Sequence, residues 1–93
     1  MSERVDARQI GPLDYAVTVH EGQDTTHHEV TLSTAFLDDL LVPDVDPARV
    51  ATETVRYLLD REPGVAIPAE VGLDRLANHD QDFLPELRAR LID

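Results

Sequence analysis

The stretch "YAVTVHEGQDTTHHEVTLS", residues 15–33, constrains this chain more than any other. Tyr15, Val17 and Val19 alternate with Ala16, Thr18 and His20. His28, Val30 and Leu32 alternate with His27, Glu29, Thr31 and Ser33. A period of two with β-branched content predicts two strands, each apolar on one face. Gly22 and Asp24 lie between them, and such residues favour a turn. A four-residue loop over Gly22–Thr25 sets Glu21 against Thr26, His20 against His27, Val19 against His28, Val17 against Val30 and Tyr15 against Leu32. This register gathers the large apolar residues on one side, as a half-covered sheet requires.

A sheet face of that kind must be covered, because a lone hairpin is only marginally stable. The rest of the sequence supplies helices. Ser33 is suited to cap a short helix from Thr34 to about Leu41, with Phe36, Leu37, Leu40 and Leu41 as its apolar stripe. Asp46 then caps a second helix with Pro47 at its first position. Val50, Ala51, Thr54, Val55, Leu58 and Leu59 line one side of it, and Pro63–Gly64 stops it near Glu62. "VAIPAEVG" reads as an extended or irregular connection, "LDRLANH" as one or two helical turns, and Phe83 to Ile92 as a terminal helix. In that helix Leu84, Leu87, Leu91 and Ile92 are placed toward the core. Residues 1–12 read as a flexible tail with a short strand around Val5 to Ile10.

The expected fold class is α+β: an antiparallel hairpin, extended to three strands if the tail joins it, covered on one face by two to three helices. The 93 residues suit one domain. With two Phe, two Tyr and no Trp, the core must be built from aliphatic side chains.

The order of pieces resembles a group of small, uncharacterised prokaryotic proteins. The resemblance rests on the hairpin "YAVTVHEGQDTTHHEVTLSTAFLDDL", the helix "DPARVATETVRYLLDREP" and the tail "IPAEVGLDRL…FLPELRARL". Within it, "YLLDREP", Ile67, Leu73 and "FLPE" match a closing pattern of helix end and C-terminal helix. "NHDQD" and Gly72 depart from that pattern. These are core and capping residues, so the resemblance implies a fold and carries no activity.

A second likeness is one of layout. "HEVTLS", "TAFLDDLL" and "PARVATETVRYLLDRE" follow the strand–helix–helix order of ribbon-helix-helix proteins. In those, a strand from each of two chains enters the major groove, and a helix N-terminus holds a phosphate. The chemistry opposes a DNA-binding regulator or antitoxin of this type. The outward strand residues are His27, Glu29 and Thr31, and Asp44 and Asp46 stand where phosphate needs positive potential. Nineteen acids face eight bases, all Arg, for a net charge of −11, which repels phosphate backbones and anionic membranes.

Other chemistries find little support. Without cysteine there is no disulfide, thiolate metal site or thiol nucleophile. His20, His27 and Glu29 share the exposed side of the expected hairpin, and two imidazoles with a carboxylate suit zinc or nickel. Such a surface trio arises easily by chance. No nucleophile, base and oxyanion set is legible, and the four Gly are scattered rather than gathered into a phosphate loop. No catalysis and no cofactor are expected. The N-terminal "MSERVDARQIGPLD" lacks an apolar leader core, and no apolar run approaches membrane-spanning length, so a cytoplasmic location is expected. What remains is a non-catalytic interaction or accessory role, as a homodimer or with a basic partner, using open sheet edges. Tyr15 and Tyr57 are candidate anchors for that partner.

Overall fold

A computed structural model describes residues 4–92. Its order is β1 (Arg4–Gln9), β2 (Asp14–Glu21), β3 (Asp24–Thr31), α1 (Thr34–Leu40), α2 (Pro47–Leu59), a 3-10 turn (Gly64–Ala66), β4 (Glu70–Gly72), α3 (Leu73–His79) and α4 (Phe83–Ile92). The fold is α+β. The strands form one mixed sheet in the order β1-β2-β3-β4. β1 pairs with β2 and β2 with β3 antiparallel, and β4 joins β3 in parallel.

The sheet is wider than a hairpin. The short strand expected around Val5 to Ile10 forms as β1 and joins the hairpin as a third strand, with Val5 against Val19 and Ala7 against Val17; residues 1–3 of the expected tail lie outside the described residues. The three-residue β4 sets Val30 against Val71. Three residues are too few to show a period, so the sequence suggests only an irregular connection there.

The hairpin register differs from the expected one by two residues. Tyr15 faces Val30, Val17 faces His28, Thr18 faces His27, and His20 faces Thr25. The loop holds only Gly22 and Gln23, between Glu21 and Asp24. Gly22 has a φ of +58°, and Gly at the first central position is what a type II′ turn requires. A slip of two keeps each side chain on its face, so alternation alone cannot choose between these registers.

Alternate strand residues, Val5, Tyr15, Val17, Val19, His28, Val30 and Val71, are buried on the side where the helices lie. α2 packs against β1 and β2, and α4 against α2. Burying one Val or Leu stabilises the fold by roughly 1.5–3 kcal/mol, and Val17, Val30, Val50, Leu73 and Leu87 are among the fully buried residues of the core, with Tyr57, Phe83 and Leu40 its largest. Ser33 caps α1 by accepting from the Phe36 amide at 3.0 Å, and Asp46 caps α2 by accepting from the Ala48 amide at 3.0 Å. Two expected core residues lie outside it: Leu41 and Ile92 are exposed. Leu41 ends α1 in the left-handed region, φ 57°, which swings its side chain outward. Phe83 takes the inner place at the start of α4, stacked on Phe36 at 5.8 Å between centroids.

Candidate interaction surface

Among the described residues, the second face of the sheet carries no helix. Its side chains form rows across the strands: Arg4, His20 and Thr25; then Asp6, Thr18 and His27; then Arg8, Ala16, Glu29 and Glu70. Small residues occupy the centre, with charged ones around them. Ile10, half exposed at 51%, joins Ala16, Thr18 and His27 in lining a shallow depression there.

On this face His20 and His27 do not oppose each other, as the expected register had it. They sit one row apart, each beside a threonine. His20 Nδ1 is 3.3 Å from Thr25 Oγ1, and His27 Nδ1 is 3.4 Å from Thr18 Oγ1. His20 Nε2 turns toward Asp6 at 3.9 Å. Glu29 lies a further row along, opposite Ala16. Among the described residues, no group of three His, Asp or Glu side chains converges to hold a metal ion.

His28 belongs to the other face and is buried. Its Nδ1 lies 2.8 Å from the Pro68 carbonyl, and its Nε2 lies 2.9 Å from Thr26 Oγ1. A carbonyl only accepts, so Nδ1 carries the proton, and Nε2 is free to accept from the threonine. The ring thereby fastens the chain before β4 to the edge of β3. Glu21 assists by accepting from the Gly64 amide at 2.7 Å.

The tyrosines expected to anchor a partner are internal. Tyr15 and Tyr57 are both buried. The Tyr57 hydroxyl donates to Asp80, its ring meets Phe83 edge-on at 5.1 Å, and the Arg61 guanidinium stacks over it at 3.7 Å. Burial first, and the Asp80 bond second, push the Tyr57 hydroxyl up to about 12. The same bond holds the Asp80 carboxyl below its ordinary range. Arg90 gathers Asp60, Glu86 and Glu53 beside this pair.

Most of the arginines are thus committed to the protein itself. Arg49 donates to the Leu91 and Arg90 carbonyls, and Arg88 to those of Leu40 and Asp39. These contacts bind helix ends to one another. They escape sequence reasoning because each spans more than forty residues, and no local pattern marks an arginine that donates to a distant carbonyl.

Two further features limit the chemistry at hand. The Ser33 hydroxyl accepts from the Phe36 amide and donates to Asp74 at 2.9 Å, which ties it into the cap of α1. The N-terminus of α2 is already occupied by the Asp46 carboxylate. β3 is interior, with β2 on one side and β4 on the other. A ribbon-helix-helix arrangement needs that strand free to pair with a second chain, and it is not.

One groove lies away from the open face. Leu58, Pro68, Val71 and Leu76 line it, with Glu62 and Arg75 at its rim, and it encloses about 250 Å³. No helix among the described residues is long and apolar enough to cross a membrane. No family model matches the chain, and no curated protein or solved structure matches it either.

Proposed function

We propose that this chain is a non-catalytic protein-interaction domain, acting as an accessory or regulatory subunit through the β1 edge and the open sheet face. The observation that carries this reading is that β1, six residues long, has a strand neighbour on one side only among the described residues. An edge of this kind offers backbone donors and acceptors in a row, ready for a further strand. The side chains that would otherwise suggest chemistry have structural work: Ser33 caps, His28 fastens a loop, and Tyr57 and Asp80 join helices.

The partner is a second copy of the chain or another protein, and because the chain is acidic a locally basic surface on that partner speeds encounter. A photo-crosslinking residue at Arg8, on the edge, tests the reading in cells of the source organism, with one at Ala89 on the exposed side of α4 as control. Protein adducts are expected from position 8 and not from position 89. Absence of any protein adduct at position 8, under conditions where the domain is folded, would end the reading.

A further inference from the structure

We propose that the strand received by β1 is β1 of a second copy, paired antiparallel about Ala7 so that two four-stranded sheets become one of eight strands. The proposal rests on the interaction reading above and names its occupant.

The backbone fixes which groups face outward. The Leu32 amide donates to the Leu13 carbonyl at 2.8 Å, so odd-numbered residues of β2 turn toward β3. The Ile10 amide donates to the Asp14 carbonyl at 2.9 Å, so even-numbered residues of β1 turn toward β2. Backbone groups alternate in direction along a strand. Val5, Ala7 and Gln9 therefore aim their N–H and C=O groups at the free edge.

A second β1 entering antiparallel must match these odd residues with one another. Only a few registers do so, and the side chains on the open face choose among them. Centring on Asp6 sets Asp6 against its own copy and Arg4 against Arg8, two kinds of like-charge contact. Centring on Val5 opposes Arg4 and Asp6 but leaves Arg8 and Ile10 facing positions before the described strand. Centring on Ala7 opposes Asp6 to Arg8 twice, matches Val5 with Gln9, and sets Arg4 across from Ile10. The Arg4 stem then lies over an exposed isoleucine. The charged pairs fall at non-hydrogen-bonded positions, where opposite side chains approach most closely.

Charges on an edge strand usually deter pairing. Here the order Arg4-Asp6-Arg8 deters the registers centred on Asp6 and on Arg8, which set like charges together, and the register centred on Ala7 is preferred to that on Val5 because it also gives Arg8 and Ile10 partners within the described strand. β1 contains no Pro and pairs with β2 without interruption, so no bulge turns it away. Among the described strands it alone has more bases than acids, two to one, within a chain of net charge −11. A second acidic copy is repelled least there. A two-fold pairing of one patch with itself is the commonest form of dimer.

Sedimentation over a range of concentrations tests this, with circular dichroism as the check on folding. The wild type is expected to dimerise. Asp6→Arg and Arg8→Asp, each made alone, should weaken dimerisation by about tenfold or more, since each replaces two attractive cross-strand contacts with two repulsive ones. Combined in one chain they should restore it, because the exchanged charges at positions 6 and 8 again meet as opposites. Should the Asp6 variant fold poorly through loss of its contact with Arg4, Ala7→Pro provides the second test. It removes an outward amide that β2 does not use, a position where proline is tolerated, and should leave a folded monomer. A wild type that stays monomeric, or a dimer indifferent to these changes, or a double variant that fails to recover, overturns the proposal. A monomer that still yields crosslinks to a different protein from position 8 overturns it while leaving the interaction reading intact.

Discussion

The Tyr57 hydroxyl donates to the Asp80 carboxylate, and this one bond joins the middle of the molecule to the loop between α3 and α4. Tyr57 sits on α2 with its ring sealed beneath Arg61 and against Phe83. Asp80 ends α3 and also accepts from the Asp82 amide at 3.0 Å, just before α4 begins. Replacing Tyr57 by Phe keeps the ring and removes the donor. The carboxylate then loses a charge-assisted partner in a half-buried site, and a loss of about 1–3 kcal/mol is expected in urea unfolding.

The same pair gives the protein an acid limb and an alkaline limb. Asp80 titrates below its ordinary value in the folded chain, chiefly because of the Tyr57 bond, so the folded state binds fewer protons there. Its contribution is present above the ordinary carboxyl value of 3.8 and falls away as the pH drops through and below it. Tyr57 is raised, so its contribution is intact below 10 and is lost as the pH climbs from 10 through about 12. In Tyr57→Phe the alkaline loss from this site should vanish, and the acid loss should shrink. Stability curves measured at both extremes check this. Unchanged limbs would remove the pair from the account.

His28 holds the approach to β4 through both ring nitrogens. His28→Ala should destabilise the chain by about 2–3 kcal/mol, from a cavity on the buried face and the loss of both bonds. Amides of residues 64–72 should lose exchange protection before those of β1 and β2. Uniform loss over the sheet would mean that the ring is ordinary core.

Leu41 lies in the left-handed region with its side chain 74% exposed. Glycine suits that helix-ending position, and the leucine gains little from burial there. Leu41→Gly is expected to be neutral or to stabilise by about 1 kcal/mol in spite of the lost side chain. Thermal denaturation of the variant measures it, and a marked drop would show that Leu41 packs in the folded state.

Much of the frame was legible because it rests on local rules. Alternation located β2 and β3, and capping residues located the starts of α1 and α2. The stripe at helical spacing on α2 marked Val50, Val55 and Leu58 correctly as core. What escaped depends on space rather than on sequence neighbours. Registers two residues apart are identical in pattern, so the tightness of the Gly22 turn decided which one formed, and His20 parted from His27 as a result. β4 is recognisable only beside β3, which completes its hydrogen bonds. Tyr57 looks like a surface anchor at the flank of its helix, because nothing local announces Phe83 and Asp80 as its neighbours. The candidate surface itself was legible only as an open edge; which edge it is followed from the pairing of β1.

The most direct test of β1 as the interaction surface is residue-resolved amide exchange at low and high protein concentration. The amides of Asp6 and Arg8 face β2 and should be protected at both. Those of Val5, Ala7 and Gln9 face outward; they should exchange quickly when dilute and slow by about tenfold or more when concentrated. Rapid exchange of all three at every concentration, with the dimer otherwise present, would contradict the account.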